Sequence, residues 1–537
     1  MNPPTSNRSW ALAGIAVFLL LPFLAGAATL TVLNTNGDNS DDSLRKAIGD
    51  AMPGDTIVFD IGLDASTIRL DGTELLVDKD LTIDASGLSD GITIDGDKGD
   101  DGPSADDSRV MTVDAGAVVL IKSVTFTGGM TKDALAGRSE SAGGGIRNIG
   151  TLTLEDCTIS DNRTGESAEG GGISNEDSGF LVMKRCTVSG NRTGDGIEDI
   201  GTGFAGDGGY GGGIANGFDA TLEMERCTIS GNSTGDGVSN PSNTRGSAGG
   251  YGGGIVNSGT GPATLRQCTV SGNFTGNGGA GSTSSGNGGY GGAFANEASA
   301  QTPVFLTLEG CTVVGNGTGN GGGGGGTSNV GGNGGGIALV GGGYMVALTD
   351  TIIAGNTIGA GANGPDLEVG FDTTLAGVNL IGDNSSRSGG VATTFPAPAT
   401  PGTPNVNGDF VGTGASPLFH GLGALADNGG PTLTQLPLNG SPALDPTGGA
   451  TSSGFATDQR GFTRILGSAM DIGAVEAPGF VPPVVRATVP AADPSDLLRK
   501  LKKLKKKAKN AKRKGQKAKA KKYKKQIKKV TAQIRAL

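Results

Sequence analysis

Between about residues 140 and 360 the chain repeats one pattern of apolar and polar positions. The stretch "TLTLEDCTI", residues 151–159, alternates apolar and polar residues, is rich in β-branched side chains and has no helical period. It is preceded by "GGGIRN" and followed by "CTISDN". The same frame returns as "GGGISN", "GGGIAN", "GGGIVN", "GGAFAN" and "GGGIAL", starting at Gly170, Gly211, Gly252, Gly291 and Gly334. One unit is therefore a set of short strands separated by turns, with Gly or Asn at the corners. Such a unit has no way to bury its apolar face alone. Stacked in parallel coils it does, which predicts an all-β solenoid.

The spacing of the cysteines sets the coil length. Cys157, Cys186, Cys227, Cys268 and Cys311 lie 29, 41, 41 and 43 residues apart, and each is followed by Thr and a β-branched residue. The shortest interval fits one coil. The longer ones add about a dozen residues at the same point, after "SGNxTG", as in "DGIEDIGTGFAGDGGY" from Asp195. Insertions at a fixed point of a repeat project from one face, often the binding face. Equivalent residues of parallel coils lie about 4.8 Å apart and form ladders. One Asn ladder is expected at Asn162, Asn191, Asn232, Asn273, Asn316 and Asn356, and a second at Asn148, Asn175, Asn216, Asn257 and Asn296. The cysteines share their column with Ser123 and Thr351, so this position asks for a small buried residue. Without CxxC, and without a His in the array, they make no metal site; five is odd, so full pairing is impossible, but neighbours at coil spacing are close enough for an occasional structural disulfide. Glu155, Lys184, Glu225, Arg266 and Glu309, two residues before each cysteine, alternate in sign and read as exposed ladder pairs.

Outside the array, Arg8 and the run "WALAGIAVFLLLPFLAGAA" read as an export signal, with Ala25 and Ala27 placed for cleavage after residue 27. The segment "SDDSLRKAIGDA" reads as a short helix covering the first coil through Leu44, Ala47 and Ile48, with Ser40, Asp41 or Asp42 as its cap. Charge divides the chain in two. Residues 495–537 hold 20 of the 42 Lys/Arg and 1 of the 52 Asp/Glu, so this tail carries +19 and the remainder −29. Leu497, Leu501, Leu504, Ala508 and Ala511, then Tyr523, Ile527, Val530, Ile534 and Leu537, recur at helical spacing, predicting a Lys-rich helical tail, as one helix with a broken seam or an antiparallel pair turning near Gly515. Its opposite face, including Lys502, Lys503, Lys505, Lys506 and Lys507, suits an anionic envelope polymer or lipid headgroup, or else remains a solvated charged face; nucleic acid has the same charge, but export argues against a specific nucleic-acid partner.

The array resembles the polymorphic outer-membrane-protein repeats of bacteria, whose marks are GGA/G-I and a downstream Asn. Residues 42–60, "DSLRKAIGDAMPGDTIVFD", are similar to the CSLREA segment of such exported proteins, with Asp42 in place of its Cys and Lys46 in place of its Glu. "DNGGPT", "GSPALD", "DQRG" and "DIGAVE", within residues 417–476, are similar to the choice-of-anchor Q domain. The resemblance implies a right-handed parallel β-helix at a bacterial surface and supplies no catalytic residues. The expected organisation is then a signal at 1–27, a β-helix with its N-terminal cap at 28–380, an anchor-Q-like region capping the solenoid at 381–476, a linker at 477–494 and the basic helical tail at 495–537.

Candidate chemistry is sparse. The only histidine, His420, lies outside the array in "LFHGL", so neither the His setting of polygalacturonases nor a Ser-His-Asp triad is present. A β-helix polysaccharide lyase remains as an alternative, resting on Asp195, Glu198, Asp199 and Asp207 in one insertion. The glycine loops lack the Asp step of calcium-binding "GGxGxD" repeats, and no phosphate or dinucleotide motif occurs, so no cofactor or metal is expected. The Asn-x-Thr triplets coincide with the ladder Asn, which explains their recurrence without glycans. The reading is a secreted or cell-surface protein of adhesin type, without a transmembrane span after signal removal. Its stacked Gly/Ser/Asn loops face a glycan or neighbouring surface. Plain envelope scaffolding is a third possibility.

Overall fold

The computed structural model describes residues 26–477, except 100, 101, 103, 105, 133–140, 198–205, 240–244, 299–303, 324–329, 342–343, 369–372, 388–389 and 447–453, together with 503–507, 519 and 522–527. The apolar run of the signal, Glu198, Asp199, Lys502 and the linker to residue 494 lie outside the described residues. The chain divides into two units, Met1–Gly479 and Phe480–Leu537.

The first unit is a parallel β-helix. Each turn visits three sheets in order, here A, B and C, of 11, 12 and 9 strands. Sheet A runs from Thr29–Val32 to Thr373–Ala376, sheet B from Asn36–Gly37 to Phe410–Val411, and sheet C from Leu75–Val77 to Leu367–Glu368. The register is the one the repeat dictates. Leu152 pairs with Leu181 and then Leu222, Ile159 with Val188 and then Ile229, and Ile146 with Ile173 and then Ile214. All of these side chains are fully buried, so three inward columns make one continuous core. Outward on sheet A, Glu155, Lys184, Glu225, Arg266 and Glu309 fall in one register, with Lys184–Glu155 at 3.5 Å and Arg266–Glu309 at 2.9 Å.

The corners explain the turn residues. Between sheets A and B, one residue per coil takes a left-handed φ: Asp156, Arg185, Arg226, Gln267 and Asp350, at 48–56°. Between B and the next segment the same conformation falls on Asp161, Gly190, Gly231 and Gly272, immediately before the ladder Asn, at 57–68°. This is why the motif reads S-D/G-N: Asp and Gly are among the residues that tolerate αL.

Helix α1, Leu44–Asp50, covers the first coil with Leu44, Ala47 and Ile48 buried. Its cap is Ser43, whose Oγ accepts from Lys46 N at 3.1 Å. The cap falls one residue later than the expected candidates because Asp42 is used at φ 61° to turn the chain into the helix. The segment expected as a C-terminal cap divides in two. Residues 390–411 close the stack, with Val391 and Phe395 buried in the main core and Phe410–Val411 pairing with Leu380–Ile381. The described residues of 418–477 instead run back along the outward face of sheet B. In the second unit, residues 503–507 and 522–527 are helical, with Lys503, Lys505, Lys506 and Lys507 exposed. No helix among the described residues is long and apolar enough to cross a membrane.

Candidate functional site

The ladders are hydrogen-bonded along the axis. Asn162 Nδ2 donates to Asn191 Oδ1, Asn191 to Asn232, Asn232 to Asn273, Asn273 to Asn316 and Asn316 to Asn356, each at 2.9 Å. The run ends on the Asp366 carboxylate, 2.8 Å from Asn356 Nδ2 and pushed up to about 7 by burial. The second ladder, Asn148 through Asn296, repeats the bond at 2.7–3.0 Å. All five cysteines are free and buried. Cys186 Sγ donates to Leu154 O and Lys184 O at 3.3 Å, and Cys186 N donates to Cys227 Sγ at 3.4 Å. Burial pushes the Cys157, Cys186, Cys227 and Cys268 thiols well up, away from the reactive thiolate. The column therefore carries structure rather than chemistry.

The Thr of each Asn-x-Thr has its own task. Thr193 Oγ1 donates to Gly209 O at 2.7 Å and accepts from Gly235 N at 3.0 Å, tying both arms of one insertion to the next coil. Thr234 and Thr275 repeat this. The insertions are consequently not loose loops at their bases. Within each, the arms are joined by bonds such as Gly209 N to Gly194 O, 3.0 Å, and between coils by bonds such as Gly196 N to Asp236 O, 2.7 Å. Stacked, they form a glycine slab beside the solenoid. A Cβ on Gly235 would lie 1.8 Å from Gly194 O, and one on Gly250 1.9 Å from Gly209 O, so backbone packing excludes any side chain there. The outer rim carries an exposed column of Asp195, Asp236, Asn277 and Asn320. Along it, each residue accepts from the next coil's backbone: Asp195 Oδ1 from Asp236 N at 2.9 Å, Asp236 Oδ1 from Asn277 N at 2.6 Å, and Asn277 Oδ1 from Asn320 N at 2.9 Å.

Asp207 does the same on the other arm, its Oδ1 accepting from Ala248 N at 2.7 Å. Of the acids in the lyase alternative, Asp195 and Asp207 are thus structural acceptors. Asp195 also pairs with Arg192 at 2.7 Å; burial raises its carboxyl, but the Asp236 N–H and Arg192 outweigh that and hold it below its ordinary value. Among the described residues no group of three or more His, Cys, Asp and Glu is arranged to hold a metal ion. His420 Nδ1 accepts from Leu422 N at 3.0 Å, and its ring packs on Gly355.

Between the slab and sheet C lies a feature that sequence reasoning passed over. Each "GGY" that precedes a GGG or GGA corner sets a tyrosine in one column: Tyr210, Tyr251 and Tyr290, all half-buried. The Tyr210 and Tyr251 rings are stacked at 4.8 Å with planes 2° apart, and Tyr251 meets Tyr290 at 5.1 Å, edge on. Tyr210 and Tyr251 pack on the small outward residues of sheet C, Ala215, Val256 and Ala295. Tyr210 OH donates to Asp207 Oδ2 at 3.2 Å, and Tyr290 OH accepts from Asn287 Nδ2 at 3.3 Å. Burial pushes the Tyr210 hydroxyl up, and the Asp207 carboxylate adds to it. Glu297 lies close enough to act on Tyr210 and Tyr251 by its charge, and its own carboxyl is raised by burial and then by Asp207. Among the described residues no cation pairs with Asp207 or Glu297 within 4.0 Å. The groove therefore combines aromatic rings with uncompensated carboxylates. The signal that would have located it is the recurrence of Tyr at 210, 251 and 290, in phase with the GGG or GGA corners.

No family model matches the chain, and no curated protein matches it. A similar solved structure is the crystal structure of pectate lyase Pel9A, at 13% identity, covering 84% of this chain and 96% of that chain with a TM-score of 0.43.

Proposed function

We propose that this is a secreted or cell-surface binding protein of adhesin type, whose ligand is an uncharged glycan strand lying along the solenoid axis. The supporting observation is the groove of Tyr210, Tyr251 and Tyr290 with Asp207 and Glu297 beside it. Aromatic rings offer apolar edges and phenol hydroxyls to sugars, and carboxylates accept from vicinal hydroxyl groups. The two uncompensated acids repel a polyuronate, which gives the groove a preference by charge. The slab holds this arrangement rigid from coil to coil. The basic tail, through Lys502, Lys503, Lys505, Lys506 and Lys507, tethers the protein to an anionic envelope polymer.

The test is sedimentation of the mature protein with insoluble neutral and acidic polysaccharides, with product release followed in the same tubes. Retention by neutral glycans is expected, with Tyr251→Ala weakening it roughly tenfold, the loss of about 1–3 kcal/mol given by an aromatic stacking contact. Retention by polyuronate with release of unsaturated ends would replace this reading with a lyase. Retention by none would remove the glycan.

A further inference from the structure

The segment 418–477 is held to sheet B by a specific set of contacts. The Thr column of that sheet, Thr228, Thr269 and Thr312, is fully buried beneath it or nearly so. Thr228 Oγ1 donates to Leu433 O at 2.6 Å, Thr269 Oγ1 to Gln459 Oε1 at 2.6 Å, and Ala474 N donates to Thr312 Oγ1 at 3.0 Å. Gln459 Nε2 reaches Cys227 O at 3.1 Å. Leu422, Ala443 and Ile472 of the segment pack with Val314, Ile352 and Leu380 of the coils. The same Thr column continues toward the N-terminus through Thr187 and Thr158, where it is half-exposed.

Behind these contacts lies a buried ionic knot. Asp458, Asp471 and Glu476 from the segment and Asp350 from the A–B corner are each at most 1% exposed, and they meet Arg460 and Arg464, at 8% and 1%. Asp458 Oδ2 accepts from Arg460 Nε at 2.9 Å and Nη2 at 2.7 Å. Glu476 accepts from Leu466 N and Asp471 N at 3.0 Å, and Asp471 from Asp445 N at 2.8 Å and Ala477 N at 2.7 Å. Arg464 Nη2 donates to Gly473 O and, at 3.3 Å, to Asp471 O. Arg464 Nε and Nη1 and Asp350 Oδ2 are buried without a hydrogen-bond partner among the described residues. Four carboxylates thus enclose two guanidinium groups.

We propose that the C-terminal segment is a proton-operated cover over the Thr column of sheet B, because its knot buries two more carboxylates than cations and closure therefore takes up protons. The carboxyls that carry the excess are those burial acts on: Asp350 is pushed up to about 6, Glu476 up to about 7, and Asp471 is raised as well. For an acid whose pKa is raised by closure, the stabilisation is complete below its open-state value and is lost as pH rises through the closed-state value. Docking is therefore tightest below about pH 4 and weakens from there to about pH 7. The other charged groups at this interface set the baseline. Arg226 donates to Thr457 Oγ1, Asp445 faces Asp471, and burial lowers the His420 imidazole, whose contribution to docking runs opposite to that of the raised carboxyls.

The measurement is amide exchange across residues 457–477 in the full chain at pH 5–8, corrected for the intrinsic pH dependence, with the core strands of sheet C as the internal reference. Protection of the segment is expected to fall at least tenfold over this range, with the reference unchanged. Asp350→Asn keeps the acceptor for Val378 N, 2.9 Å from Oδ1, and removes one charge, so the fall becomes shallower. Arg464→Gln removes a cation and raises the closed-state carboxyls further, so the fall becomes larger. Protection that is flat from pH 5 to 8 overturns the proposal, and so does an Asp350→Asn profile identical to the wild type. If Arg464→Gln undocks the segment at every pH, Asp350→Asn alone decides.

Discussion

At the residue scale the solenoid works by columns, and what a position tolerates is decided by its neighbours above and below. The cysteine column shows it: the thiols link to backbone carbonyls, and the column passes into Thr351, whose Oγ1 accepts from Cys311 N at 3.3 Å, then to Asn379 and Asp409. Size and a hydrogen-bonding atom are what the site requires, not sulfur chemistry. The Asn ladder is less forgiving. Asn232 is fully buried, its Oδ1 accepts from Asn191 N and Nδ2, and its Nδ2 donates to Asn273 Oδ1 and Val188 O. Asn232→Ala leaves four buried groups short of a partner in a packed interior. A loss of roughly 2–5 kcal/mol is expected from the buried unmet groups, read as a shift in the denaturant midpoint. Loss of only a few tenths of a kcal/mol, as for an exposed side chain, would mean that water replaces the amide.

At the element scale the strands and ladders were legible in the sequence and the slab and cover were not. Ile146, Ile173 and Ile214 sit in register because each follows a glycine triplet, so the repeat itself encoded the stacking. The slab is built from backbone bonds between residues such as Gly196 and Asp236, which no side-chain pattern marks. The cover depends on contacts such as Gln459 to Cys227, 232 residues apart, and its half-polar sequence carries no period of its own. The slab makes a direct prediction. Gly250→Ala places a methyl 1.9 Å from Gly209 O, so the arms must separate and their shared hydrogen bonds weaken. A destabilisation of about 1–3 kcal/mol is expected from the overpacking, with loss of amide protection concentrated at residues 206–209 and 246–250. Gly323→Ala, at a site with nothing within 4 Å of the added carbon, is the control and should change neither. Equal effects of the two would show that the slab is not close-packed in solution.

At the scale of the whole molecule, the division of charge separates two kinds of binding. The body carries −29 and holds the groove with its uncompensated acids, while the tail carries +19 with its described lysines exposed. An anionic polymer is repelled by the first and attracted by the second, and a neutral glycan has the opposite choice. Deleting residues 495–537 is therefore expected to abolish retention on anionic vesicles or teichoic-type polyphosphate and to leave retention on neutral polysaccharide unchanged. Added salt should reproduce the deletion for the anionic partner alone, since the attraction of exposed lysines decays within about 8 Å at 0.15 M and faster above it. The two results are read separately, because one variant removes the tail and the other alters only Tyr251. Anionic retention that survives both deletion and high salt would place that binding on the body and in contacts other than exposed charge attraction.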